Sequence, residues 1–209
     1  VSQGITCKRT LFFGLIALGG NLPSPVGDPL ETINDAISKL SHQFGSLSAV
    51  SRRFSTPCMP KGAGPDYVNA AVGLWTNDTA EEVLAKLHQI ESQYDRKRTN
   101  RWGARTLDLD LLDLGGMVSP NRQTYEQWAT LDDPQKIART PEQLILPHPR
   151  IAERGFVLKP LMDIAPDWTH PTTGRSVKQM LATLDSAEVL EIRAIDSTDL
   201  LPIATVATK

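Results

Sequence analysis

Between residues 96 and 112 the chain sets acids and cations side by side in a pattern suited to phosphate chemistry. In Thr106-Leu-Asp-Leu-Asp-Leu-Leu112 apolar and acidic residues alternate, so an extended strand turns Leu107, Leu109 and Leu111 to one face and Asp108 and Asp110 to the other. Two residues along a strand span about 6.6 to 6.8 Å, which sets both carboxylates on one rigid surface. Anions held this close repel unless a cation sits between them. Mg²⁺ suits the position, because one or two carboxylates hold it while water and substrate phosphate complete its octahedron. A pair of ions about 3.5 to 4 Å apart would be within reach of both acids. On the D-x-D pattern alone, two solvated acids on an exposed sheet face are the simpler account. The preceding residues change that balance: Arg96, Lys97, Arg98, Arg101 and Arg105 put five cations into ten residues. Such a run after a helix can be a solvated last turn favoured by the macrodipole. Beside paired acids it also supplies what a metal-bound polyphosphate requires, since guanidinium forks grip phosphate oxygens while carboxylates hold the ion. Arg105 lies three positions before Asp108 and would face the opposite side if already in the strand, so it is expected on the entering loop.

The usual phosphate cradles are absent. There is no G-x-x-x-x-G-K-[ST] loop, and Gly62-Ala-Gly64 lacks the third glycine and following helix of a dinucleotide fingerprint. Phosphate must be held by side chains. Neither a G-x-S-x-G elbow nor H-E-x-x-H occurs. His42, His88 and His170 read as structural or exposed, whereas His148, fixed between two prolines, is the better functional candidate. Tyr67 and Phe156 are core aromatics by default, but Tyr67 shares a strand face with Asn69, and together these could stack on and hydrogen-bond a flat heterocycle.

The elements that must position these groups follow from period and punctuation. Leu11 to Leu18, running into Gly19-Gly20-Asn21, reads as a buried strand; with Lys8 and Arg9 before it the run imitates a secretory signal, but it is too short to span a bilayer. Asp28-Pro29 opens a helix whose stripe is Leu30, Ile33, Ile37, Leu40 and Phe44, ending at Gly45. Leu47 to Phe54 reads as a strand, and the Pro and Gly of residues 55–66 make a long irregular loop of the functional kind. Tyr67 to Trp75 alternates, with Val68, Ala70, Val72 and Leu74 on one face and small or polar residues on the other. Thr79 and Glu82 form a capping box before a second helix with Val83, Leu87, Ile90 and Tyr94 on its stripe and Glu91 at its edge. Residues 117–141 show no sustained period and read as an insertion with a short helix. Leu144 to Leu146 suits a short strand, and Pro160 to Ala165 and Val177 to Leu184 suit short helices.

The chain of 209 residues is long enough for one apolar core, hiding roughly 70% of its unfolded surface. Hydrophobic residues make up 40%, charged residues 22%, and the net charge is -2, so any anion site must be local and no general attraction for nucleic acid or anionic membrane exists. Cys7 and Cys58 are unsuited to a zinc site and point to a reducing, cytoplasmic setting. Alternating rather than wholly apolar strands favour a two-layer α+β sheet covered on one face.

Four motifs in order, Ile16-Ala-Leu-Gly-Gly-Asn-Leu22, Pro65-Asp-Tyr-Val-Asn-Ala-Ala71, Arg101-Trp-Gly-Ala-Arg-Thr-Leu-Asp-Leu-Asp110, and Pro147-His148 followed by Arg154-Gly-Phe156, make the chain resemble the 6-hydroxymethyl-7,8-dihydropterin pyrophosphokinase family. The resemblance implies a ferredoxin-like α+β sandwich with a mixed or antiparallel sheet and helices on one face. It implies transfer of the β,γ-diphosphate of ATP to the pterin hydroxymethyl group, leaving AMP, with ATP and a dihydropterin as partners and no nucleic acid or membrane. By motif position, Asp108 and Asp110 resemble the ligands of two Mg²⁺ ions, and Arg96 and Arg105 join them as catalytic residues. Arg98, Arg101, Glu91, His148 and Arg154 match nucleotide-side positions, while Thr56, Pro57, Met59, Tyr67, Asn69, Trp102 and Phe156 resemble the pterin pocket. Ala104 stands where the family has Pro, Thr99 where a basic residue is common, and Pro149 where an aromatic often follows P-H. The expected plan is an extension over residues 1–10, the enzyme domain over 11–184, and a tail or added strand over 185–209, in a monomer. A two-metal nuclease or phosphatase would also want paired acids and cations. An RNA-binding module could use the arginine run and Trp102, although the following acids would repel its backbone.

Overall fold

The computed structural model describes residues 10–94, 105–132, 134–135 and 139–195. At its centre are β1 (Phe12–Gly20), β2 (Leu47–Val50), β3 (Phe54–Thr56), β4 (Tyr67–Thr76), β5 (Asp108–Leu114) and β6 (Arg193–Ala194). The strands follow the order β5-β1-β4-β3-β6, with β2 also on β4, and these pairings are antiparallel. The expected α+β architecture is present. No helix among the described residues is long and apolar enough to cross a membrane.

Both long helices start at reciprocal caps. Asp28 accepts from the Glu31 amide at 2.9 Å while Glu31 accepts from that of Asp28, opening α1 (Pro29–Phe44); Thr79 and Glu82 do the same for α2 (Ala80–Glu91). Each such cap stabilises by about 1 kcal/mol and fixes where the helix begins. The apolar stripes then pack on one sheet face: Ile33, Ile37 and Leu40 of α1 and Val83, Leu87 and Ile90 of α2 meet Ile16, Leu18, Val72, Leu74, Leu109 and Leu111.

The opposite face is not bare, which corrects the expectation of helices on one face. Leu15, Ala17, Ala71 and Leu112 form a second cluster with Ile151, with Val157, Leu158 and Leu161 of α4 (Gly155–Ile164), and with Val177 and Met180 of α5 (Val177–Leu181). The small side chains of Ala17 and Ala71 let α4 approach the sheet closely. Coverage stops there, leaving the strip through Gly19, Asn69 and Asp108 beyond the cluster.

Three element boundaries also differ from the sequence reading. Residues 47–56 form two strands rather than one: at Ser51 the hydroxyl accepts from the Ala71 amide at 2.8 Å, and the side chain of Arg53 is buried against Asn34 and the Ser51 carbonyl. The acid-bearing strand starts at Asp108, two residues later than its alternation suggests, because Asn21 and Leu22 donate to the Arg105 carbonyl and hold the preceding residues as a loop. Leu144 to Leu146 contributes one bridge, Leu146 to Ser119. After α5, α6 (Ser186–Glu191) leads into β6, which pairs with β3.

The 117–141 segment is built onto the domain. Asn121 caps α3 (Arg122–Ala129) by accepting from the Thr124 amide at 2.9 Å, and Ser119 and Leu146 exchange backbone bonds at 2.9 and 3.1 Å. Buried Tyr125 on α3 meets Nε2 of buried His170 at 3.0 Å. The Thr172 amide donates to His170 Nδ1 at 3.3 Å, so the hydrogen of the neutral ring is on Nε2 and points to the Tyr125 oxygen.

Burial holds His170 below its ordinary pKa. The unfolded chain therefore takes up this proton near pH 6.5, above the pH at which the folded chain does. The stability carried by neutral His170 is complete above that pH and is lost as the pH falls through the folded value. Urea unfolding between pH 7 and 5 should show stability falling by up to about 1.4 kcal/mol per pH unit for this histidine. His170→Gln should be less stable at pH 7 and show a shallower slope.

Candidate active site

Strand register assembles the site. Asp108, Gly19, Asn69 and Phe54 stand in one row across β5, β1, β4 and β3, and Asp110, Ala17 and Ala71 stand in the next. Side chains in a row share a face, so both acids point to the side that carries Asn69. Tyr67, two residues before Asn69, shares this face and pairs with Thr56, whose hydroxyl accepts from Asn69 Nδ2 at 3.0 Å. Glycine at 19 keeps the floor between acid and amide flat: a Cβ there would stand 3.0 Å from Asn69 Oδ1.

Asn21 and Gly20 are positioning residues that sequence reasoning did not single out. Buried Asn21 accepts from the Arg105 amide at 2.9 Å and donates to the Pro65 carbonyl at 3.0 Å, tying the loop that enters β5 to the loop that precedes β4. Gly20 permits that approach, since a Cβ would meet the Thr106 carbonyl oxygen at 2.4 Å. The Gly-Gly-Asn spacing signalled a turn; its long-range partners left no local trace.

Each acid is engaged by a guanidinium. Arg105, on the entering loop, binds Asp108, and Arg154, beside the start of α4, donates to Asp110 at 3.4 Å. Burial lowers the pKa of Arg154, with Asp110 opposing; a guanidinium nevertheless stays charged. No cluster of three or more metal-ligating side chains occurs among the described residues. Two half-exposed carboxylates without a third protein ligand fit Mg²⁺, which takes much of its shell from water and phosphate; they do not fit a dedicated protein cage.

The acids open into a cavity of about 770 Å³. Thr56, Pro57, Met59, Tyr67 and Asn69 line it on one side, Arg105, Asp108 and Asp110 share it, and Glu91, His148, Arg154 and Phe156 complete the set of candidates found there. Met59 and Phe156 are exposed. Buried Glu91 reaches around the sheet edge, where its Oε1 accepts from the Leu109 amide at 2.8 Å and fixes the strand between the two acids. His148 Nδ1 accepts from the Arg150 amide at 3.2 Å. Burial and the nearby Arg154 and Arg150 cations drive its pKa down to about 3, so at neutral pH it is an uncharged ring with a hydrogen on Nε2. His88, read from sequence as structural or exposed, is exposed and lines the cavity beyond Glu91. Arg96, Arg98, Arg101 and Trp102 lie outside the described residues, as do Thr99 and Ala104.

Paired acids with flanking arginines thus sit on an antiparallel α+β sandwich of the ferredoxin-like class. Among solved structures, HPPK-DHPS of Plasmodium falciparum aligns with a TM-score of 0.57 at 13% identity, over 85% of this chain and 45% of that one; this chain thus spans less than half the length of that protein. The family pattern of 7,8-dihydro-6-hydroxymethylpterin-pyrophosphokinase (HPPK) matches residues 15–166, and the chain belongs to that family. Proteins named 2-amino-4-hydroxy-6-hydroxymethyldihydropteridine pyrophosphokinase are similar to it. The one from Synechocystis is 33% identical, over 84% of this chain and 77% of its own. The one from Haemophilus influenzae is 35% identical, over 76% and 84%.

Asn21→Ala removes both ties between the two loops and leaves the Arg105 amide unmatched. Its unfolding free energy should fall by about 1 to 3 kcal/mol, read by urea titration. Asn21→Asp keeps the acceptor for that amide and should recover part of the loss; equal stability of Asn21→Ala and the parent chain would remove the clamp from the account.

Proposed function

We propose that this chain transfers the β,γ-diphosphate of ATP to the hydroxymethyl oxygen of 6-hydroxymethyl-7,8-dihydropterin, the folate-pathway step that leaves AMP. The observation that carries the reading is the shared row of Asp108, Gly19 and Asn69, which puts an acid for metal-bound phosphate beside an amide for a heterocycle edge. In the reaction the hydroxyl oxygen forms a bond to the β-phosphorus, the bond from that phosphorus to the α,β-bridging oxygen breaks, and the alcohol proton passes to water. Phosphoryl-type transfer asks little covalent help from protein, so positioning and charge dominate.

The chain's residues divide accordingly. Tyr67 and Phe156 bound the pterin ring, Asn69 reads its polar edge, and Thr56 holds the amide in orientation. Thr56, Pro57 and Met59 complete that pocket, to which motif position also assigns Trp102. Asp108 and Asp110 would hold Mg²⁺, two ions by the family motifs, whose charge when bound would offset that of the phosphates. Arg105 and Arg154 pair with the two acids and lie in the same cavity, where their forks suit phosphate oxygens. Neutral His148 offers a hydrogen-bond donor rather than a charge. Glu91 positions the strand, and the motif positions of Arg96, Arg98 and Arg101 assign these residues to the phosphates. The reading includes a cytoplasmic monomer that engages neither nucleic acid nor membrane.

Incubation with ATP, Mg²⁺ and the pterin alcohol should give AMP and a diphosphorylated pterin, resolved by chromatography; free phosphate or cut nucleic acid instead would point to a hydrolase. Asp108→Ala and Asp110→Ala should each lower kcat by about 100-fold or more. Unchanged rates would end the metal assignment. Asn69→Ala should chiefly raise the KM for pterin.

A further inference from the structure

The reaction assigns no work to the insertion, yet its described part reaches the active site. Trp128, at the end of α3, and Arg139 line the same cavity as Asn69 and the acid pair. The Arg139 guanidinium lies 5.4 Å from the Trp128 ring centroid, a cation–π pair that presents a flat surface together with N–H donors.

The cavity can be divided by chemistry. Tyr67, Asn69 and Thr56 occupy the ring-binding part, and the acids and arginines the part suited to phosphate. The lining further includes the apolar side chains of Leu84, Leu111 and Ile145 along with Trp128 and Arg139. With pterin and diphosphate placed, the portion of the two substrates still to be housed is the nucleoside of ATP. A volume of about 770 Å³ is ample for both molecules' reacting parts. The start of the insertion and α3 are anchored twice to the rest of the fold, by the Tyr125 to His170 hydrogen bond and by the paired bonds between Ser119 and Leu146.

We propose that Trp128 and Arg139 form the far wall of the nucleotide end and bind the nucleoside portion of ATP, making the 117–141 insertion a substrate-binding element. This rests on reading the cavity as the site for ATP and pterin. Indole and guanidinium faces suit a purine, and the guanidinium edge suits ribose or phosphate oxygens.

The test is calorimetric binding of an ATP analogue with a methylene group in place of the α,β-bridging oxygen, in the presence of Mg²⁺, alongside binding of the pterin. Trp128→Ala and Arg139→Ala should each raise the Kd for the analogue about tenfold, the scale of one lost stacking or charge contact. The pterin Kd and the thermal midpoint should stay close to those of the parent chain. Arg139→Lys, keeping charge but losing the planar fork, should fall between. Unaltered analogue affinity in both alanine variants of a chain that produces AMP would overturn the proposal, as would equal weakening of both ligands. Absence of AMP from the parent chain would defeat the underlying reading of the site itself.

Discussion

Mutual repulsion between Asp108 and Asp110 is the constraint around which this molecule is arranged. Alternation along an edge strand forces both carboxylates to one face, and neither can be moved away without losing Leu109 and Leu111 from the core. The fold answers with Arg105 from the loop before the strand and Arg154 from the start of α4. These two cations come from parts of the chain far apart in sequence. Their convergence makes a closely balanced patch of charge on the open part of the sheet face.

Rigidity around that patch comes from polar groups that resemble structural detail when taken singly. Glu91 occupies the outward amide of Leu109, so the strand edge between the acids cannot pair elsewhere. Asn21 joins the Arg105 loop to Pro65, and Gly20 lets the two backbones come together. The second face of the sheet is divided: its lower part is sealed by α4 and α5, while the part carrying Gly19 and Asn69 stays open as the floor of the cavity. Small residues serve both ends of this face, Ala17 and Ala71 by admitting a helix and Gly19 by leaving room for a substrate.

Much of this was legible in the residues. The Asp28-Pro29 start, the Thr79/Glu82 capping box and the apolar stripes behind them located α1 and α2, because helix signals act over a few residues. The two faces of β4 and the shared side of the acids followed from period two. The split at Ser51 to Arg53 was not legible, since it depends on a serine hydroxyl replacing a ladder contact with Ala71. Coverage of the second face was missed for a related reason: the small residues that looked like an exposed surface are those against which a helix packs. The HPPK motifs named the candidate residues, but not the contacts of Glu91 and Asn21.

By itself the sequence determined local geometry: which residues form strands and helices, which side chains share a face, and that acids and arginines adjoin along the chain. Tertiary structure alone decided that β1 lies between β4 and β5, and so brings Asn69 and Asp108 into one row with Gly19 as the gap. It also decided that Arg154 returns to Asp110, that His148 returns to the same cavity, and that the inserted helix docks through Tyr125 and His170. The physical reason is range: periodicity and caps are set by neighbours a few bonds away, whereas strand partners and docking surfaces are selected by burial and hydrogen bonding summed over the whole chain.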